Sequence, residues 1–91
     1  MDLDDLLEKV NSKQSFFDFV EALRDDKIKE DEKEKIKKSD PNEPGANGWQ
    51  NGSIDAFLDA MYAFGQDSSS ITEQPDWKGF ALILYAGKFY E

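Results

Sequence analysis

The sequence contains no cysteine and no histidine, and each absence removes chemistry. Without cysteine there are no disulfides, thiolate metal ligands or thiol nucleophiles. Without histidine, the commonest general base and the commonest metal ligand are also missing. Bases are scarce: 11 Lys plus Arg face 20 Asp plus Glu, a net charge of −9. That balance disfavours nucleic acid and an anionic membrane as partners, since both reward positive charge. No apolar run approaches the roughly 18–20 residues that span a bilayer, and Phe80 to Tyr85 is the longest candidate. Residues 1–10 carry Asp2, Asp4 and Asp5 before the first lysine, unlike the basic start of a secretory signal. A cytoplasmic location is therefore expected.

Ninety-one residues suit one small domain with a modest core. The charge divides unevenly along the chain. Residues 1–23 sum to −4, residues 24–40 to zero and residues 41–91 to −5. The conspicuous charge run is thus neutral, and the acidic excess belongs to the segments patterned for folding.

Leu3, Leu6, Leu7 and Val10 form one stripe of a short helix, with aspartates crowding its first turn. Asn11 or Ser12 caps a second helix, and Gln14 stands three residues after Asn11 in a capping-box arrangement. Its expected buried face is Phe16, Phe19, Val20 and Leu23, widened by Phe17 and Ala22. The segment 25–38 continues that pattern with only Ile28 and Ile36 as apolar residues. It reads as a solvated, fraying helix carrying the pairs Asp25/Lys29, Asp31/Lys35 and Glu34/Lys38. Pro41, Pro44, Gly45 and Gly48 mark a loop over residues 39–52. Ser53 caps a third helix with the stripe Ile54, Phe57, Leu58, Met61 and Phe64, while Asp55 and Asp59 share its opposite face. Gly65 suits its end. Pro75 opens the first turn of a last helix through Trp77, Phe80, Ala81 and Leu84. The fold class is all-α: residues 1–91 make one small bundle of three to four main helices.

Catalytic constellations find little support. Ser68, Ser69 and Ser70 have no histidine to activate them, and Asp55 and Asp59 on an exposed face lack the desolvation a general acid needs. The chain is expected not to be an enzyme and to need no cofactor. Asp40, Asn42, Gly45 and Asn51 match positions 1, 3, 6 and 12 of a calcium loop, but Pro44 and Asn51 stand where an oxygen ligand and a bidentate glutamate belong. No metal site is expected. Twelve aromatics read mainly as core. Trp49 either staples the loop to the bundle or joins an exposed patch rimmed by acids. The candidate partner-binding residues are Asp55, Asp59, Asp67 and Trp49.

Two blocks carry a resemblance. The first is Trp49, Asn51, Ser53, Ile54, Phe57, Leu58 and Ala60. The second runs from Pro75 and Trp77 through Phe80, Ala81, Ile83, Leu84, Ala86 and Gly87 to Lys88, Tyr90 and Glu91. Together they resemble an uncharacterised family of short, acidic bacterial proteins, to which the segment LLEKVNSKQSFFDFVEALRDD is also similar. The resemblance implies a small helical fold and no activity. Its Lys-x-Tyr-Glu ending raises the expectation that the last helix docks onto the Trp49 loop. The expected function is a non-catalytic acidic module that binds a basic protein, in its sharpest form an immunity protein against a basic toxin. A self-associating structural module is the alternative.

Overall fold

A computed structural model describes residues 2–38, 40 and 44–91. Among the described residues the fold has four helices: α1 (Leu3–Glu8), α2 (Lys13–Ile36), α3 (Ile54–Asp67) and α4 (Trp77–Phe89). No strand occurs among the described residues. Each helix starts at a side-chain cap that satisfies an otherwise orphaned N–H. Asp2 accepts from the Asp5 N–H at 2.9 Å, Ser53 from Ala56 at 3.4 Å, and Asp76 from Gly79. At α2 the cap is Ser12, and its capping-box partner is Ser15 rather than the expected Gln14. The Gln14 amide instead donates to Asp18 at 2.8 Å, one turn further on. Pro75 lies one residue before the Asp76 cap, just outside the helix it was expected to open. Gly65 does not end α3, which continues through Asp67.

The α4 helix is central and packs against α1, α2 and α3, whereas α3 has α4 as its sole helical neighbour. Leu7, Val10, Phe19, Leu23, Trp49 and Ala81 form the buried core, with Phe19 and Ala81 fully enclosed. The α1 stripe faces this core as its periodicity implies, with Leu7 and Val10 buried and Leu3 and Leu6 half-buried against it. Two expected stripes are narrower than the sequence suggests. Phe17 is 50% exposed, and on α3 Ile54 and Leu58 are 80% and 54% exposed. On α3 the reason is topological: a helix with a single helical neighbour buries one narrow arc. At that contact Gly87 of α4 meets the Phe57 ring of α3, and an added Cβ would lie 2.6 Å from it.

Gly87→Ala is therefore expected to cost about 1–3 kcal/mol, the range for forcing a methyl into a packed contact. Gly65→Ala, in the interior of α3 with open space around it, should instead stabilise by about 0.5–1 kcal/mol. Urea denaturation of both variants tests this, and equal midpoints would contradict the α3–α4 packing.

Candidate functional site

The charged part of α2 has only Ile28 and Ile36 as apolar residues, yet it holds the most enclosed carboxylate among the described residues. Asp26, Glu30 and Glu34 recur every four residues and so share one side of α2. The loop before α3 turns its backbone N–H groups onto that side. Glu30 is 3% exposed and accepts from the N–H of Asn47 at 3.0 Å and of Trp49 at 3.1 Å. Glu34 accepts from the Ala46 N–H at 2.9 Å. A carboxylate is thus seated in a nest of loop amides, an arrangement suited to negative charge. The Lys27 ammonium, 3.5 Å from Glu30, adds a counter-charge.

Loop conformation follows from its glycines. Gly48 has φ of +87°, a region other residues seldom occupy, and its N–H donates to the Gly45 carbonyl at 2.8 Å to close a turn. Gly45 lies directly against the Glu30 carboxylate, where a Cβ would overlap it.

Asp26 gathers the second half of the cluster. Its carboxylate accepts from the Trp49 indole N–H at 2.8 Å and from the Lys88 ammonium at 2.9 Å. The Asn47 side-chain amide donates to the Asp26 carbonyl at 3.0 Å. Lys88, 8% exposed, also lies 5.6 Å from the centre of the Trp49 ring, within cation–π range. Trp49 stacks on Phe57 at 6.1 Å. Farther along, the Lys88 carbonyl accepts from the N–H of Gln50 and Asn51, while the Asn51 amide donates to the carbonyls of Gly87 and Tyr90. The Lys-x-Tyr-Glu ending therefore does dock on the Trp49 loop.

Most of residues 25–38 is solvated as expected, and only the side carrying Asp26, Glu30 and Glu34 is corrected by this geometry. The α2 helix is continuous to Ile36, and its carboxylates are recruited by loop amides and by Lys88. The ion pairs also differ: Asp31 pairs with Lys27 at 2.6 Å and Asp25 with Arg24 at 3.0 Å, rather than with the lysines four residues on.

Of the candidate partner-binding residues, Trp49 is buried at 8% exposure as the loop staple. Asp55 and Asp59 are exposed on α3. The Asp67 carboxylate accepts from the Tyr90 hydroxyl at 2.9 Å. These four are not brought together. Asn42 of the calcium-loop frame lies outside the described residues, and the side-chain amide of Asn51 is committed to the α4 end. Among the described residues, no group of three or more carboxylate, histidine or cysteine side chains could hold a metal ion. No helix there is long and apolar enough to cross a membrane.

A concavity of about 470 Å³ adjoins the cluster on the α1 side, and its walls include Asp2, Asp4, Asp25, Asp26, Lys29, Tyr85 and Lys88. The Tyr85 hydroxyl donates to Asp4 at 2.9 Å. Burial, and then that carboxylate, push the Tyr85 phenol up to about 12. Four carboxylates against two lysines, of which Lys88 is internally paired, leave this cleft a net negative lining that favours cations. The scan for known families matches residues 12–91. The chain belongs to DUF7660, a family of unknown function. The match starts at the Ser12 cap, so α1 lies outside it while the whole Asp26–Glu30–Trp49–Lys88 cluster lies within the family region. No curated protein and no solved structure matches the chain.

Removing Lys88 strands the Asp26 carboxylate. Lys88→Met is expected to destabilise by about 2–3 kcal/mol, less than a fully buried pair because Asp26 keeps some solvent access. The Asp26→Asn/Lys88→Met double variant should recover part of that loss in chemical denaturation. The raised Tyr85 phenol stabilises the fold fully below its ordinary 10.0, and that contribution disappears as pH rises through about 12. Alkaline denaturation of Tyr85→Phe should therefore show a shallower loss of stability between those values than the parent chain.

Proposed function

We propose that this chain is a non-catalytic module, working in the cytoplasm, whose acidic surface engages a basic protein. The observation that carries the reading is the fate of the two lysines of residues 41–91. Lys88 is buried against Asp26, and the Lys78 ammonium donates to the Glu8 carbonyl at 3.0 Å. Asp55, Asp59, Asp67, Glu73, Asp76 and Glu91 remain on the surface of that half. The fold thus buries Lys88, one of the two bases in a segment of net charge −5, and leaves those carboxylates on its outer face. Such a face steers a cationic protein and repels nucleic acid and anionic lipid. The titratable groups sealed inside the molecule are engaged in holding the loop, which supports binding over catalysis. The sharpest form of the reading is an immunity protein that neutralises a basic toxin.

The test is affinity capture from lysate of the encoding organism at low and then physiological salt. One basic protein retained in stoichiometric amount is expected, with a toxin activity if the sharpest form holds. Toward that protein, Asp55→Lys/Asp59→Lys should slow association about tenfold. The thermal midpoint should move little, since a charge change in the first turn of α3 is worth about 0.3–1 kcal/mol. An acidic captured protein, unaltered association, or empty beads at both salts would overturn the proposal, the last in favour of self-association.

A further inference from the structure

The α3 helix lies at the side of the molecule, packed on α4 alone among the helices. Its inner arc is used: Phe57 meets Trp49 and Gly87, Ala60 is buried, and Phe64 stacks edge-on with Tyr90 at 5.4 Å. Its outer arc carries Ile54, Leu58 and Tyr62, exposed to 80%, 54% and 63%. Spacing by four residues keeps the three side chains in line over about 12 Å of helix. Asp55 and Asp59 follow one position later and form a second line, roughly 100° around the helix. Both aspartates are exposed. Single exposed apolar residues are ordinary, but three in register on one outlying helix form a contiguous strip.

We propose that this two-row face of α3 is the docking surface for a basic amphipathic helix of a partner protein. The strip Ile54, Leu58 and Tyr62 takes the partner's apolar row, and Asp55 and Asp59 pair with its lysines or arginines. The inference rests on the acidic-module reading and adds the surface and the form of the ligand.

Charge selects the occupant. A second copy of the chain brings −9 against −9 and sets the aspartate row against carboxylates, which costs several kcal/mol for like charges placed together. A basic helix instead satisfies both rows with the i, i+4 periodicity of helix-on-helix recognition. Asp55 also keeps its charge in mild acid. Hydrogen bonds from the Ser53 side chain and from backbone N–H groups hold the Asp55 carboxyl below its ordinary 3.8. The other half-exposed aromatics, Phe17, Phe80 and Phe89, are already packed edge-on against Phe16, Trp77 and Tyr85.

The probe is a synthetic 15-residue helical peptide with a leucine face flanked by lysines, with a glutamate-for-lysine peptide as its counterpart. Each is titrated into the isotopically labelled full chain at about 0.15 M salt, where distant charges are screened. The lysine peptide is expected to bind saturably, with resonance shifts concentrated at Ile54, Asp55, Leu58, Asp59 and Tyr62. Leu58→Glu and Tyr62→Ala, both at exposed positions, should each weaken it about tenfold. Phe17→Ala should leave it unchanged. Shifts centred on Phe17 and Phe80, or on the cleft at Asp2 and Asp4, would overturn the assigned surface while leaving a basic partner in place. Equal binding of both peptides, or binding of neither, would overturn the surface and the basic-partner reading together. A concentration-dependent dimer whose shifts map to the same strip would assign it to a second copy and overturn the proposal.

Discussion

The Glu30 carboxylate is the interaction on which the rest of the molecule depends. A charge 3% exposed is costly to hold inside a protein unless hydrogen bonds and a counter-charge replace its water. Here the replacement comes from backbone amides of a loop with little apolar substance of its own. The loop needs the carboxylate to fix its turn at Gly45–Gly48, and the carboxylate needs the loop amides to replace the water it has lost. Neither element is well formed without the other. Their mutual requirement fixes where Trp49 enters the core.

Once Trp49 is placed, the remaining geometry follows. Its indole N–H fixes Asp26, Asp26 fixes the Lys88 ammonium, and Lys88 sets the end of α4 against residues 50 and 51. The α3 helix starts three residues later, so its position against Gly87 is inherited from this clamp. A chain of polar contacts running from α2 through the loop to α4 thus does the orienting that a larger protein would leave to apolar packing. The arrangement also has an electrostatic result. Drawing Lys88 inward removes one of the two bases in the C-terminal half from the surface, and carboxylates then dominate the outer side of that half.

Much of the fold was legible along the chain. The α1 stripe, the Ser53 cap, the helical spacing of Phe19 and Leu23 and the all-α class follow from periodicity and capping chemistry, which act over a few residues. The docking of the Lys-x-Tyr-Glu ending on the Trp49 loop was legible from the resemblance of the two sequence blocks to the family. The clamp itself was not. In sequence, Asp26, Glu30 and Glu34 look like any acids in a salt-bridged solvated helix, because a carboxylate that meets backbone amides is indistinguishable from one that meets water. The recurrence of acids every four residues, followed by a glycine-rich loop ending in tryptophan, is the signal that could have found it. The widths of the apolar faces were overread for a related reason: periodicity marks which residues share a face, not how many neighbours that face will have.

The sequence by itself determined what is local or additive: helix positions, their caps, the net charge of −9 and the absence of thiol and imidazole chemistry. Tertiary structure alone decided which charges are inside. It buried Glu30 and Lys88, left Ile54, Leu58 and Tyr62 in solvent, and turned a neutral run of alternating charges into the support of a loop. The physical reason is that burial depends on which distant segments meet, and a side chain's local pattern carries no record of its partner 19 or 62 residues away.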